Sequence, residues 1–197
     1  MTRIIAGSAG GRQLRVPRGI NTRPTSDRVR EALFSALEAR LGSLAGARFL
    51  DVYAGSGAVG LEARSRGATY VRLVEHDVAT AALIRDNAER LGFDGIEVVT
   101  AKAERLLAVA SGGSGFEVAF FDPPYAVAAA DVGVVVGGLW RAGWLCEDAV
   151  VVVERSRRED EWEWPAGLEG MRVRRYGETM LWYGRATGSP RPLPVDE

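Results

Sequence analysis

Phe49-Leu50-Asp51-Val52-Tyr53 runs into Ala54-Gly55-Ser56-Gly57-Ala58-Val59-Gly60 and then into Leu61-Glu62-Ala63-Arg64-Ser65-Arg66. An apolar run, a glycine loop and a helix-forming segment in that order read as the first half of a nucleotide-binding βαβ unit. Gly55, Gly57 and Gly60 let the backbone approach a ligand where a Cβ would collide. The next strand, Tyr70 to Val74, ends in Glu75, about twenty residues after Gly55, the offset of an acceptor for ribose hydroxyls. Tyr53, Gly55, Ser56, Gly57, Glu75 and His76 are therefore candidate cofactor contacts. The pattern points to an adenosine cofactor without naming it, because NAD sites look much the same.

Asp51 narrows the choice. An acid inside the strand end suits a cationic group and repels a pyrophosphate. S-adenosylmethionine carries an ammonium and a sulfonium and no phosphate. Asp51 is thus a candidate cofactor contact, and the other reading of it is a strand-end or helix-capping acid.

A second site follows a second apolar run. Val118-Ala119-Phe120-Phe121 reads as a buried strand and leads into Asp122-Pro123-Pro124-Tyr125. An acid there sits at the carboxyl edge of the sheet, where open α/β folds bind ligands. Two prolines remove two backbone donors and stiffen the loop. The Asp122 carboxylate and the Pro123 carbonyl suit a primary amine, and Tyr125 offers a ring on which a flat base stacks. Asp122, Pro123, Pro124 and Tyr125 are the candidate catalytic residues, with Asp122 also touching the cofactor. A tight turn that merely ends the strand is the alternative. Together the two sites read as an S-adenosylmethionine-dependent amino methyltransferase. Glu154, ending a later strand, is a further candidate with no role fixed.

Arg3-Ile4-Ile5-Ala6-Gly7, Gly11-Arg12-Gln13-Leu14 and Arg23-Pro24-Thr25-Ser26-Asp27-Arg28-Val29-Arg30-Glu31-Ala32-Leu33-Phe34 resemble the RsmD family of 16S ribosomal RNA guanine-N2 methyltransferases. So does Asp51 to Ala63, and the similarity runs from about Arg3 to Tyr183. The glycine loop and Asp-Pro-Pro-Tyr are shared with many amino methyltransferases; the Arg-Pro-Thr-x-Asp-Arg-Val-Arg-Glu stretch is the specific part. The resemblance implies N2-methylation of a guanine near the ribosomal P site. It implies 16S rRNA within the 30S subunit or an assembly intermediate as the partner. One position departs from the family, which often carries an acid or amide after the third strand to meet the adenine amino group. This chain has Lys102 there, and lysine accepts no hydrogen bond. Lys102 and Ala103 stay candidate cofactor contacts, with adenine recognition expected from backbone groups around Ala103 and from apolar packing.

Composition agrees. The chain has 197 residues with 47% hydrophobic and 26% charged content, as for a globular protein with one real core. Cys146 is the single cysteine, so no internal disulfide forms and a reducing, cytoplasmic setting is expected. There is no apolar signal core and no long uncharged apolar stretch, so no membrane partner is expected. His76 is the only histidine and lacks companions for a metal, so none is expected. A monomer is expected.

Net charge is −1 overall, but residues 1–40 hold eight arginines against Asp27, Glu31 and Glu38, a net of +5, leaving −6 for the rest. Such asymmetry suggests a basic arm on a polyanion. Arg3, Arg12, Arg15, Arg23, Thr25, Arg28 and Arg30 are the candidate RNA contacts; a solvated extension is the alternative.

Periodicity predicts a hairpin over 1–20 as an RNA-binding extension, a methyltransferase domain over 21–185 and a disordered tail over 186–197. Thr25 or Ser26 caps a helix that ends at Gly42. Then come strand 47–53, helix 58–66, strand 70–75, helix 78–91, strand 96–100, a helix near 102–110 and strand 117–121. A helix at 128–142, strand 149–153 and an antiparallel pair, 171–176 with 179–183, close the chain. Strands alternating with helices predict an α/β, Rossmann-like class I methyltransferase fold with a mainly parallel seven-stranded sheet. No strand of that sheet falls in 1–20, so removing the hairpin is expected to spare the core. Rival readings are an amino methyltransferase on adenine or cytosine of DNA or on a glutamine amide. More distant are a dinucleotide-dependent oxidoreductase and a non-catalytic nucleotide-binding module.

Overall fold

The computed structural model describes residues 2–17, 26–109 and 114–188. Arg23, Thr25, the Arg18-Gly19 turn, Ser111-Gly112-Gly113 and the tail from 189 onward lie outside them. The chain divides into two compact units, Met1–Ala101 and Lys102–Glu197.

In the first unit, β1 (Thr2–Arg3) and β2 (Gln13–Leu14) pair antiparallel. Helix α1 (Asp27–Leu41) follows. Its cap is Ser26, whose hydroxyl accepts the Val29 N–H at 3.3 Å, and it stops at Gly42. Strand β3 (Arg48–Val52), helix α2 (Ala58–Ser65), strand β4 (Tyr70–Glu75), helix α3 (Val78–Leu91) and strand β5 (Ile96–Thr100) complete it. β3, β4 and β5 pair in parallel. Phe49, Leu50 and Val52 of β3 are fully buried, as expected of a central strand covered on both faces.

The second unit opens with a short 3-10 turn, Ala103–Ala108, where periodicity predicts a longer helix. Strand β6 (Phe116–Phe121), helix α4 (Ala129–Arg141) and strand β7 (Leu145–Ser156) follow. β6 and β7 are parallel, with Phe120 opposite Val152 and Phe121 opposite Val153. Strands β8 (Leu168–Tyr176) and β9 (Thr179–Ala186) form the terminal hairpin, with β9 antiparallel to β7. The seven-stranded sheet has the order β5-β4-β3-β6-β7-β9-β8. The α/β architecture is the expected one. Ala186, placed in the tail from sequence, is fully buried at the end of β9.

The hairpin, described over residues 2–17, is not an appendage. Ile4, Ala9 and Leu14 are buried in one apolar cluster with Ala58 and Leu61 of α2 and Ala88 and Leu91 of α3. Gly7 (φ 82°) passes so close to α2 that a Cβ there would lie 1.9 Å from the Ser65 carbonyl oxygen. Ser8 donates to that oxygen at 2.8 Å, and Ala9 donates to Ser65 Oγ at 3.0 Å.

Candidate active site

In the first unit the chain leaves β3 through Tyr53, a bulky residue at φ 67°. A left-handed tyrosine is strained by about 1–3 kcal/mol, and such residues cluster at ligand clamps. Gly55 is also left-handed, at φ 52°, and a Cβ there would meet only open space. Backbone conformation therefore favours glycine at 55, and the loop is held by its own N–H groups: Ala54 donates to the Val74 carbonyl at 2.9 Å and Gly57 to the Ala54 carbonyl at 2.8 Å. Gly57 and Gly60 have another reason: a Cβ would lie 2.9 Å from Ile84 Cγ2 at the first and 2.6 Å from Leu73 Cδ2 at the second. Those two glycines serve close helix–strand packing.

Asp51 fills the helix-capping role weighed beside the cofactor contact. It is 1% exposed, and its Oδ2 accepts the Gly60 N–H at 2.8 Å. The N-cap of α2 is Gly57, which has no side chain to cap with, so Asp51 supplies the acceptor from the strand end. This buried capping role occupies Oδ2 and fixes the carboxylate at the strand end.

Glu75 is 6% exposed and ties the loop to β4. Its Oε2 accepts the Gly55 N–H and its Oε1 the Asp77 N–H, both at 2.8 Å. His76 Nδ1 lies 3.0 Å from Glu75 Oε1, with its ring largely exposed. Each carboxylate oxygen has a second lone-pair site, so the same group can accept from a ligand hydroxyl. Asp77 caps α3: hydrogen bonds from the Thr80 hydroxyl and N–H hold its carboxyl below the usual range. Acids thus stand at both strand ends beside the loop, and Tyr53 to Gly57 carry no cation. That charge set fits a cationic cofactor and not a pyrophosphate.

In the second unit, Asp122 is half-buried at the end of β6, Pro123 is buried and Pro124 is exposed. The Tyr125 ring side is open, at 67% exposure. Val127 N–H closes a turn onto the Pro124 carbonyl at 2.9 Å. Arg155, 4% exposed on β7, donates to the Val127 carbonyl at 2.9 Å and to Glu159 at 2.6 Å. The loop is therefore pinned from the neighbouring strand. Sequence reading misses Arg155, because an arginine after Val-Val-Val-Val-Glu carries no local sign of its partner. Glu154 is buried one step past the Phe121–Val153 pair, level with Asp122. Lys102 is exposed, Ala103 is buried, and both precede β6 in this unit.

The candidate RNA contacts separate. Arg30 is fully buried; it donates to the Arg3 carbonyl at 2.8 Å and to Asp27 at 2.7 Å. A guanidinium in the interior does not meet phosphates, so that expectation is corrected. Arg12 donates to the Leu91 carbonyl at 3.2 Å and to the Arg90 carbonyl, capping the end of α3. Arg15 pairs with Asp86 at 2.8 Å, and Arg3 with Asp27 at 3.3 Å. Arg28 is exposed on the first turn of α1.

Residues 2–185 match the model of the family described as Conserved hypothetical protein 95. The chain belongs to this family, the RsmD family. A member from Escherichia coli K12, Ribosomal RNA small subunit methyltransferase D, is 38% identical over 152 residues, covering 77% of this chain and 73% of its own. Its counterpart of the same name from Haemophilus influenzae is 34% identical over 79% of each chain. A solved structure from Thermus thermophilus, the hypothetical protein TTHA0928, superposes with a TM-score of 0.77 at 37% identity, covering 93% of this chain and 98% of that one. The RsmD-family sheet seen here is that of the Rossmann-like methyltransferases.

Proposed function

We propose that this chain uses S-adenosylmethionine to methylate the exocyclic N2 amine of a guanine in 16S ribosomal RNA, presented on the 30S subunit or an assembly intermediate. The observation that carries the reading is the Asp122–Tyr125 loop: a half-buried acid on a proline-stiffened turn, an exposed ring beside it, and Arg155 pinning the turn. The names of the Escherichia coli and Haemophilus influenzae relatives support RNA as the substrate class.

Glu75 holds the ribose hydroxyls, the Tyr53–Gly57 loop receives the cationic end, Asp51 keeps that loop on its helix, and the backbone at Lys102 and Ala103 meets the adenine. Bound there, the cofactor supplies an electrophilic methyl group. The guanine amine is a poor nucleophile, because its lone pair is delocalised into the ring. Hydrogen bonds to the Asp122 carboxylate and the Pro123 carbonyl favour a tetrahedral nitrogen and aim its lone pair. Tyr125 stacks the base, which is splayed out of its RNA context. Asp122 need not be a strong base, since the methylated amine is acidic and its proton passes to Asp122 or to water. Positioning and electrostatics supply the acceleration.

The test is methyl transfer to small-subunit particles lacking the mark, beside naked 16S RNA and duplex DNA, with product analysis of the modified base. Asp122→Ala should retain S-adenosylhomocysteine affinity while transfer falls about a hundredfold or more, as when a transition-state hydrogen bond is removed. Transfer at a near-unaltered rate sinks the mechanism. Methylated adenine or cytosine in DNA sinks the substrate assignment.

A further inference from the structure

The seven-stranded sheet ends in β8, an edge strand that carries Arg172, Arg174 and Arg175, all exposed. Arg157 and Arg158, also exposed, lie in the turn after β7. The pairing brings these two groups together. β8 and β7 are both antiparallel to β9, so they run the same way and end at the same edge of the sheet. Ser156, Thr179 and Tyr176 are level across β7, β9 and β8, and the Arg157 N–H donates to the Glu178 carbonyl at 2.9 Å.

That edge is also where β6 ends, since β6 and β7 are parallel. Arg174 is level with Leu181, Leu181 with Glu154, and Glu154 with Asp122. Three strand spacings separate Arg174 from Asp122, roughly 14 Å. Arg155, between them, is hydrogen-bonded to the Asp122–Tyr125 loop through Val127.

The charge is mainly positive, five arginines against Glu159, Asp160 and Glu178. Glu178 is shared by Arg157 and Arg158 at 3.3 and 3.1 Å, and Glu159 is turned onto Arg155. Arg174 makes no ion pair among the described residues. Arg172 lies over the Tyr183 ring, which keeps its stem flat on the sheet while the strand stays exposed. Glu161, Glu163 and Glu169 lie on the segment that runs back to the far end of β8. Charges on an edge strand often serve only to block edge-to-edge pairing. That explanation needs no excess of one sign, and it does not reach Arg157 and Arg158, which are not on the edge strand.

We propose that Arg157, Arg158, Arg172, Arg174 and Arg175 form a docking surface for the phosphates that flank the target nucleotide. The occupant is the sugar-phosphate backbone of the RNA substrate. The inference rests on the reading of the chain as an RNA methyltransferase. It places the main electrostatic grip beside the Asp122 loop instead of on the N-terminal arm.

Bound phosphates release counterions, so each one engaged steepens the salt dependence of binding. The experiment compares the full chain with a variant carrying Arg158→Glu, Arg174→Glu and Arg175→Glu, using a 16S RNA transcript as the probe over a range of salt. Arg141→Glu is the control, because Arg141 ends α4, which returns to the start of β7 at the opposite edge of the sheet. Expected is a fall in RNA affinity of about thirtyfold or more at low salt, with a log–log salt slope shallower by about 0.7–0.9 for each phosphate no longer engaged. The control variant should bind as the unaltered chain does. S-adenosylhomocysteine affinity reports folding; if the triple variant loses it, single Arg→Gln replacements at the same positions carry the comparison. Unchanged RNA affinity and slope in folded variants overturns the docking surface. Failure of the unaltered chain to bind or methylate RNA overturns the enzyme reading itself, and the two failures are told apart by the unaltered chain.

Discussion

Glu75 shows why one carboxylate is worth more than its expected ligand contact. It accepts Gly55 and Asp77 N–H groups at 2.8 Å each, so it sets the loop before any cofactor arrives. Glu75→Ala should weaken S-adenosylhomocysteine binding by about 1–3 kcal/mol from the absence of charged hydrogen bonds, and by more if the Gly55 loop loosens. Calorimetry measures it; an unchanged affinity would make Glu75 purely a strand-end residue. The acid itself is legible from its offset to the glycine loop. Its Gly55 partner is not, because that contact depends on the left-handed turn at Tyr53, which no residue pattern announces. Asp51 reads in sequence as a ligand contact because a strand-end acid before a glycine loop fits both roles. The capping role becomes visible only through the bare Gly57 cap, which leaves the Gly60 N–H to be satisfied from β3. Arginine itself carries less information than expected in the N-terminal arm. Lys102 is the only lysine, so arginine is the default cation throughout the chain.

At the scale of elements, the parallel strands and long helices follow the hydrophobic period closely, and α3 coincides with its expected range at Val78–Leu91. The hairpin expected from alternation also forms, but β1 and β2 have two residues each, too few to show what the hairpin packs against. What fixes it is non-local. Glu62 of α2 is fully buried and accepts the Ile5 N–H at 2.6 Å, the Ala6 N–H at 3.0 Å and Arg66 Nε at 2.7 Å, with Arg30 at 3.8 Å. These partners lie up to 57 residues apart in sequence, beyond any local signal. One carboxylate thus joins the hairpin, α1 and α2. Glu62→Ala leaves the buried Arg30, the half-buried Arg66 and two backbone donors short of a partner. Removing one side of a buried ion pair costs about 3–5 kcal/mol. Urea unfolding should show a lower midpoint, and a loss below about 1 kcal/mol would mean that water replaces the carboxylate.

On the scale of the whole molecule, the charge asymmetry between residues 1–40 and the rest is real, but three of its eight arginines are spent on structure. Arg30 is interior, and Arg12 and Arg15 hold the hairpin on α3. The hairpin therefore stabilises the cofactor half of the protein, and its removal should not spare that half. Deleting residues 1–17 strips Ile4, Ala9 and Leu14 from α2 and α3. Ile4 and Leu14 alone account for roughly 3–6 kcal/mol of burial. The deletion also takes two backbone donors from the Glu62 carboxylate and orphans the polar side chain of Asn87, which accepts the Arg15 N–H at 2.9 Å and donates to the Arg15 carbonyl at 2.8 Å. Against a total stability of about 5–15 kcal/mol for a domain, such a loss is close to unfolding. The truncated chain should fail to bind S-adenosylhomocysteine and should melt many degrees lower or without a cooperative transition. A truncated chain that binds the ligand with unaltered affinity and melts within a few degrees of the full chain would show that α2 and α3 stand without the hairpin. The arm would then again be a detachable extension, with its arginines open to another role.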